Sequence, residues 1–167
     1  MAAAHPLLSI RPATADDVPL IRQLIAELAE YERLADAAVA TDDGLREQLF
    51  GAHPAAEVLI GEVDGEPAGF ALFFHNFSTF LGKRSLYLED LFVRPAFRGA
   101  GLGKHLMASL ARLAVQRDCG RFEWSVLDWN APAIGFYRTL GAVGMAEWTV
   151  QRLEGEALHA LASHDAL

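Results

Sequence analysis

A run of three glycines among six residues stands where an apolar, strand-like stretch ending at Val93 gives way to a helix-like one: Arg98-Gly99-Ala100-Gly101-Leu102-Gly103. The first amides of a helix lack intrahelical acceptors and carry the positive end of its dipole, so they can bind phosphate oxygens. Glycine lets the backbone approach a ligand and adopt positive φ. Arg98 and Lys104 add cationic donors. The segment predicts an anion site; the alternative is a tight turn without a ligand.

Residue identities exclude two phosphate-binding motifs at this turn. A P-loop requires glycine at the position of Arg98 and Ser or Thr at the position of His105. A dinucleotide-binding fingerprint aligned on Gly99 and Gly101 requires glycine where Lys104 stands. An Arg-x-x-Gly-x-Gly pattern after a strand remains.

Hydrophobic periodicity predicts the elements that would position this turn. A strand at 8–11 precedes a helix that starts from the N-cap Thr14, with Asp17 three residues on, and reaches Tyr31. Thr41 opens a second helix that Gly51 closes. Three strands follow, at 57–63, 68–77 and 85–94, and the first two flank a hairpin turn at 64–67.

The chain after the turn alternates helix and strand. An amphipathic helix ends at Cys119-Gly120, and a strand follows at 121–127. Asn130 caps a helix that Gly141 stops, and 145–153 is a last strand or pair of strands. This order predicts an α/β (α+β) fold, with a mixed sheet flanked by helices on both faces. We expect a flexible tail at 1–7 and a single domain at 8–167.

Composition narrows the functional class. The chain has 167 residues, of which 52% are hydrophobic and 22% charged, as expected for a soluble single domain without a membrane span. A single cysteine, Cys119, excludes an intramolecular disulfide and fits a cytoplasmic protein. The net charge of −8 argues against nucleic acid. The six histidines lack metal-ligand spacing, so we expect no metal.

Four separated segments carry a resemblance to a known family: the glycine-rich turn, Trp129 to Gly141, Leu86-Tyr87-Leu88-Glu89-Asp90-Leu91-Phe92-Val93, and Ala29-Glu30-Tyr31-Glu32. Together they resemble the GNAT superfamily of N-acetyltransferases, and in particular its diamine (spermidine/spermine) and thialysine branch. The resemblance covers nearly the whole chain. It implies a single-domain fold whose mostly antiparallel sheet has a central splay, acetyl-CoA as co-substrate, and a homodimer.

The resemblance also implies which residues hold the cofactor. Pantetheine would pair with the backbone of Leu91, Phe92 and Val93, where the strand splays from its neighbour. The pyrophosphate would lie on the amides of the turn, which are those of Arg98, Gly99, Ala100, Gly101, Leu102, Gly103 and Lys104. The second block, with Asn130, Ala133, Phe136 and Tyr137, would contact the pantetheine side.

The implied chemistry needs a base and an acid. An alkyl amine has a pKa of ~10.4 and must lose a proton before it attacks a thioester, and Glu89 matches the family's proposed base. A tyrosine with a pKa of ~10 suits protonation of the leaving thiolate, a role that falls to Tyr137. Asp90 would face the other side of the strand. Without the resemblance, Tyr137 is a core aromatic and both carboxylates are ordinary surface charges.

Carboxylates and aromatic rings would hold a small cationic amine. The candidates are Tyr31, Glu32, Phe80, Glu89, Asp90 and Glu147. Ser78 stands where the polyamine-specific enzymes carry aspartate, so we expect a lysine analogue such as thialysine before a polyamine. The alternatives are a GNAT that acetylates protein N-termini or lysines, and an acyl-CoA-binding module without turnover.

Overall fold

The computed structural model describes His5 to His164. Residues 1–4 of the predicted tail and residues 165–167 of the predicted domain lie outside the described residues. Leu7 already belongs to the fold, because its N–H donates to Asp64 Oδ1 at 2.8 Å and its carbonyl accepts from the Asp64 N–H at 2.8 Å. The chain divides into two compact units, one ending at Ser125 and the other beginning at Val126. The predicted single domain at 8–167 stays a prediction.

The first unit contains five strands, three α-helices and three short 3-10 turns. In chain order these are β1 (Leu8–Pro12), a turn at Ala15–Asp17, α1 (Val18–Tyr31), a turn at Ala35–Ala37, α2 (Asp42–Phe50), β2 (Glu57–Val63), β3 (Glu66–Ser78), β4 (Lys83–Val93), a turn at Pro95–Phe97, α3 (Leu102–Gln116) and β5 (Phe122–Trp124).

The strands form one sheet in the order β1-β2-β3-β4-β5. The first three pairings are antiparallel, and β4 pairs with β5 in parallel. That parallel ladder joins only Leu86–Leu88 of β4 to β5, so within the described residues the rest of β4 has no β5 partner. The prediction of a mixed, mostly antiparallel sheet is therefore confirmed, and the splay lies between β4 and β5, the last pair of the described sheet.

Helices cover both faces of this sheet, as predicted. Helices α1 and α2 pack on one face, where their apolar side chains form a core with Ile60, Phe70 and Phe92. Helix α3 packs on the other face, and it does so closely, because a Cβ added to Gly61 would lie 2.9 Å from Leu102 Cδ1. The buried residues of α3 are Leu102, Leu106, Met107, Leu110 and Ala114.

Local sequence signals are confirmed at the helix starts and the first hairpin. Thr14 and Asp17 form a capping box ahead of α1, and Thr41 Oγ1 accepts from the Gly44 N–H at 3.1 Å ahead of α2. Asp64 and Gly65 have φ of 52° and 82° in the β2–β3 turn. Two successive positive φ values give the turn a twist that matches that of the strands.

The prediction that Cys119-Gly120 closes α3 is wrong by a few residues. The helix ends at Gln116, and Asp118 adopts the left-handed conformation with φ of 53°. The Cys119 N–H donates to the Ala114 carbonyl at 2.9 Å, and the Asp118 N–H donates to the Val115 carbonyl at 3.1 Å, which together form a Schellman motif. Gly120 follows this motif, and its N–H donates to the Arg84 carbonyl at 2.9 Å.

The second unit contains α4 (Ala131–Thr139) and α5 (Gly155–Ala162). Asn130 caps α4 as predicted, with its side chain accepting from the Ala133 N–H at 3.3 Å, and Gly141 follows the helix with φ of 87°. The prediction of a last strand or pair of strands at 145–153 is wrong, because the described chain has no strand there. A strand needs a neighbour that pairs with its backbone groups, and alternating side chains alone do not supply one.

Candidate active site

The glycine-rich turn has the backbone geometry of an anion site. Gly99 and Gly101 have φ of 87° and 90°, and Gly101 is the N-cap of α3. The first N–H bonded within the helix is that of His105, which donates to the Gly101 carbonyl at 3.1 Å, so the preceding amides are left for another acceptor. A Cβ at Gly99 would meet nothing within 4 Å, so this side of the turn is open. The residues present therefore fit a phosphate group.

Arg94 fixes the end of β4 from which this turn starts. Its guanidinium forms a two-pronged ion pair with Glu27 of α1, at 2.8 Å from Nε to Oε2 and 2.9 Å from NH2 to Oε1. It also donates to the Pro67 carbonyl at 3.0 Å, and its own N–H donates to the Ala68 carbonyl at 2.8 Å. The start of the turn is thereby tied to α1 and to the β2–β3 hairpin.

The side chain of Arg98 turns back towards α1 instead of extending along the turn. Its Nε donates to the Val93 carbonyl at 2.9 Å. Its guanidinium carbon lies 4.9 Å from the centre of the Tyr31 ring and 5.8 Å from the centre of the Phe92 ring. Both distances lie within the range of cation–π contact. In this arrangement the Arg98 side chain contacts the end of α1, and the backbone amides of the turn are the groups that can bind an anion.

The edge of β4 ahead of the turn is open on one side. Leu91, Phe92 and Val93 pair with Ala71, Phe70 and Gly69 of β3, and the β5 ladder has already ended at Leu88. The Val93 carbonyl on this side accepts from Arg98 Nε at 2.9 Å, and the other backbone groups that point away from β3 can hydrogen-bond with an extended ligand that lies in the splay.

A β-bulge places the carboxylates of β4. Leu88 pairs with Phe73 and Asp90 pairs with Leu72, so Glu89 is an extra residue without a partner on β3. Leu72 packs against the α1 core, which puts Asp90 on the α1 face of the sheet. The prediction that Asp90 and Glu89 face opposite sides assumed regular alternation, and alternation is broken here because a bulge re-aims the side chains around it.

Asp90 is the carboxylate of this group whose ionisation is most perturbed. Burial, together with the charges of Glu89 and Glu32, raises its pKa to about 6. Burial also raises the pKa of Glu32, which caps the C-terminal end of α1 beside Tyr31. Glu89 itself is exposed. The structure thus brings Glu32 and Glu89 near enough to act on the charge of Asp90, and a cation placed there would favour the ionised carboxylate.

The structure does not bring Phe80 to this group. Phe80 is 93% exposed in the loop between β3 and β4, whereas Asp90 lies about 20 Å farther along β4 at the usual rise per residue. An open depression lies at the same end of the sheet as Phe80 and includes none of the candidate residues; it is lined by His75, Asn76, Phe77, Gly82 and Arg84.

The remaining candidates belong to the second unit. Asn130 is buried and starts α4, which carries Ala133, Phe136 and Tyr137. The rings of Phe136 and Tyr137 lie 5.4 Å apart. Glu147 is exposed in the segment between α4 and α5. The predicted roles of these residues stay predictions.

Comparison with known proteins decides the family. The model of the acetyltransferase (GNAT) family matches residues 21–142, which include both the β4 bulge and the glycine-rich turn. The chain belongs to the acetyltransferase (GNAT) family. It is 39% identical to the thialysine N-epsilon-acetyltransferase of Sus scrofa, over 92% of this chain and 96% of the relative. It is 36% identical to the L-ornithine N5-acetyltransferase NATA1 of Arabidopsis thaliana, over 94% of this chain and 89% of the relative.

A solved structure agrees with these relatives. An integron cassette protein from the mobile metagenome of V. cholerae has a TM-score of 0.79 and 29% identity, covering 93% of this chain and 98% of its own. The family match and the two curated relatives, both N-acetyltransferases, show that the chain of 167 residues is itself an acetyl-CoA-dependent N-acetyltransferase. No described helix is both long and apolar enough to cross a membrane. Between His5 and His164, no three or more His, Cys, Asp or Glu side chains are grouped to hold a metal ion.

Sequence reasoning missed two positioning features of the site. Glu27 and Arg94 stand 67 residues apart, and nothing in the sequence pairs them. The bulge at Glu89 interrupts a strand whose apolar alternation shows no irregular residue type. The Leu-Glu-Asp-Leu order in 88–91, with two carboxylates between apolar neighbours, was the one available signal.

Proposed function

We propose that this enzyme transfers an acetyl group from acetyl-CoA directly to a primary amine of a small cationic substrate. The observation that carries the proposal is the course of β4. Its open edge at Leu91–Val93 leads into the positive-φ turn at Gly99 and Gly101, and the carboxylates of Glu89 and Asp90 lie just before that edge. One strand therefore offers both a cofactor track and an amine site.

The cofactor track follows from the edge of β4 that points away from β3 and from the amides of the turn. Pantetheine is extended and carries two amides, so it can pair with the edge of β4 as an added strand would. The pyrophosphate then reaches the amides from Arg98 to Lys104, where the α3 dipole and Lys104 favour negative charge. From the second unit we assign Asn130, Ala133, Phe136 and Tyr137 to the pantetheine side, as in similar enzymes.

The amine site follows from the charges at the end of α1 and on β4. Burial, together with the charges of Glu89 and Glu32, raises the pKa of Asp90, and a protonated amine beside these carboxylates would favour the ionised form more than a neutral molecule of the same shape. Tyr31 adds an aromatic wall beside Glu32. Glu147 is a further carboxylate candidate from the second unit. Phe80 is an aromatic candidate, but the structure does not bring it near Glu32, Glu89 and Asp90.

The transfer needs three proton movements: from the ammonium, to the thiolate, and from the nitrogen as the amide forms. Glu89 accepts a proton from the substrate ammonium, directly or through water, and the neutral nitrogen attacks the thioester carbonyl. The carbon–sulfur bond then breaks, and Tyr137 protonates the leaving thiolate. The nitrogen loses its second proton as the amide forms, and this proton restores the Tyr137 hydroxyl. The proton taken by Glu89 returns to solvent, so the reaction balances without a covalent enzyme intermediate.

The two relatives described above are named for thialysine and L-ornithine, which both carry a primary amine on a short chain. Thialysine, ornithine and lysine analogues are therefore the first candidates, ahead of polyamines because Ser78 stands where similar polyamine-specific enzymes carry aspartate.

A screen of acetyl-CoA consumption tests the proposal. Thialysine, L-ornithine, L-lysine, spermidine and peptides with a free N-terminus or lysine are compared at equal concentration, by release of free thiol. We expect turnover with the amino acids and little with spermidine or peptides. Turnover on peptides alone would assign the enzyme to protein acetylation. Cofactor binding without turnover on any amine would assign a silent binding module.

Family analogy also leads us to propose a homodimer in the cytoplasm. Sedimentation velocity measures the oligomeric state directly, and a dimer is expected near twice the mass of the 18.2 kDa chain.

A further inference from the structure

We infer that Arg98 couples binding of the amine to binding of acetyl-CoA. Its side chain joins three places that the proposed function uses separately: the end of α1, the end of β4 and the cofactor turn. The inference rests on that proposed function, because it takes Tyr31 as part of the amine site and the turn as part of the cofactor site.

The contacts of Arg98 converge from these places. The guanidinium carbon lies 4.9 Å from the Tyr31 ring centre and 5.8 Å from the Phe92 ring centre, and Nε donates to the Val93 carbonyl at 2.9 Å. Tyr31 is the last residue of α1, and Val93 is the last residue of β4. The backbone of Arg98 itself opens the turn, so one side chain spans the path from the amine side to the cofactor side.

This path predicts mutual stabilisation of the two ligands. An amine held at Tyr31 and Glu32 restricts the Tyr31 ring, which keeps the guanidinium on the ring and the Arg98 backbone in its place in the turn. Affinities linked in this way change by the same factor in both directions. An exposed cation–π contact corresponds to an effect of about two- to five-fold in affinity.

Arg94 offers a comparison within the same structure. It also links β4 to α1, but through Glu27, which precedes Tyr31 by one helical turn and has no place in the proposed amine site. The Arg94 link fixes the scaffold whether or not an amine is bound. Arg98 is therefore the positioning residue whose contacts an amine can alter.

Calorimetry with CoA, which lacks the acetyl group, tests the coupling without turnover. The CoA affinity is measured alone and with saturating thialysine or L-ornithine, for the wild type and for Tyr31→Phe, Tyr31→Leu and Arg98→Met. We expect the amine to raise CoA affinity about two- to five-fold in the wild type and in Tyr31→Phe, which keeps the ring. Tyr31→Leu and Arg98→Met lose this increase.

The double variant Arg98→Met/Tyr31→Leu should lose no more coupling than either single variant, because both remove one contact. Thermal melts confirm that each variant is folded. If neither amine changes the CoA affinity of the wild type, the inference is overturned and the proposed function is not. The inference is also overturned if the amine still raises the CoA affinity of Tyr31→Leu. Failure of the wild type to bind CoA at all would instead overturn the proposed function.

Discussion

Asp90 lies opposite Leu72 in the β3–β4 ladder, although Leu88, two residues earlier, lies opposite Phe73. The intervening Glu89 is thus the extra residue of a bulge. This irregularity turns Asp90 towards the α1 face and the charge of Glu32, and leaves Glu89 exposed. Two adjacent carboxylates thereby acquire different environments, and we expect them to differ in function.

Asp90 should destabilise the folded protein at neutral pH. Burial, Glu89 and Glu32 raise its pKa from 3.8 to about 6, so stability present at low pH is lost as the pH rises through about 6. Asp90→Asn should raise the free energy of unfolding at pH 7.5 by about 1–3 kcal/mol, with a much smaller gain at pH 4.5. Urea denaturation at both pH values measures this. Equal effects at the two pH values, or destabilisation at pH 7.5, would contradict the assignment.

Glu89→Gln should affect catalysis instead of stability. The variant cannot accept a proton, so we expect kcat to fall at pH 7 and to recover partly at pH 9–10, where more of the amine is neutral without help. The measurement is the pH profile of kcat for the best amine, beside that of the wild type. A constant ratio of the two rates across this range counts against Glu89 as the base.

Tyr137→Phe should separate chemistry from cofactor binding. The ring remains beside Phe136 while the hydroxyl that would protonate the thiolate is lost. We expect kcat to fall about 10²- to 10⁴-fold, and the affinity for CoA to change less than about threefold. Steady-state kinetics and CoA calorimetry on one preparation give both numbers. An unchanged kcat removes Tyr137 from the acid role.

Gly101→Ala should disrupt the cofactor turn. Gly101 is the N-cap of α3 and has φ of 90°. A Cβ in this left-handed conformation costs about 1–2 kcal/mol. We expect CoA affinity to fall at least about tenfold. Gly82→Ala is the matched control, since Gly82 has φ of 62° but lies before β4, at the other end of the strand from the turn. Similar losses of CoA affinity in both variants would show that strain alone accounts for the effect.

Much of the fold could be predicted from the sequence, because its signals are local. Thr14 and Thr41 form caps with residues three positions on, and Gly65 and Gly101 occupy the positive-φ conformations that glycine favours. The helix α5 was not predicted, although the run Ala157-Leu158-His159-Ala160-Leu161-Ala162 has high helix propensity.

The parts that failed depend on distant partners or on register. The bulge at Glu89 is a property of two paired strands, and the sequence of β4 signals it only by the two adjacent carboxylates between Leu88 and Leu91. Residues 145–153 have the composition of a strand, but pairing decides whether a strand forms. The Arg98–Tyr31 contact joins residues far apart in sequence, and Arg98 was assigned only to the phosphate site.

The central claim is that the backbone between Val93 and Lys104 binds acetyl-CoA. Isothermal calorimetry of the wild type with CoA, repeated in the presence of excess acetyl-CoA, tests it most directly. We predict a saturable heat with one site per chain, which acetyl-CoA abolishes by competition. An absence of heat with CoA, together with an absence of amine acetylation, would contradict the account.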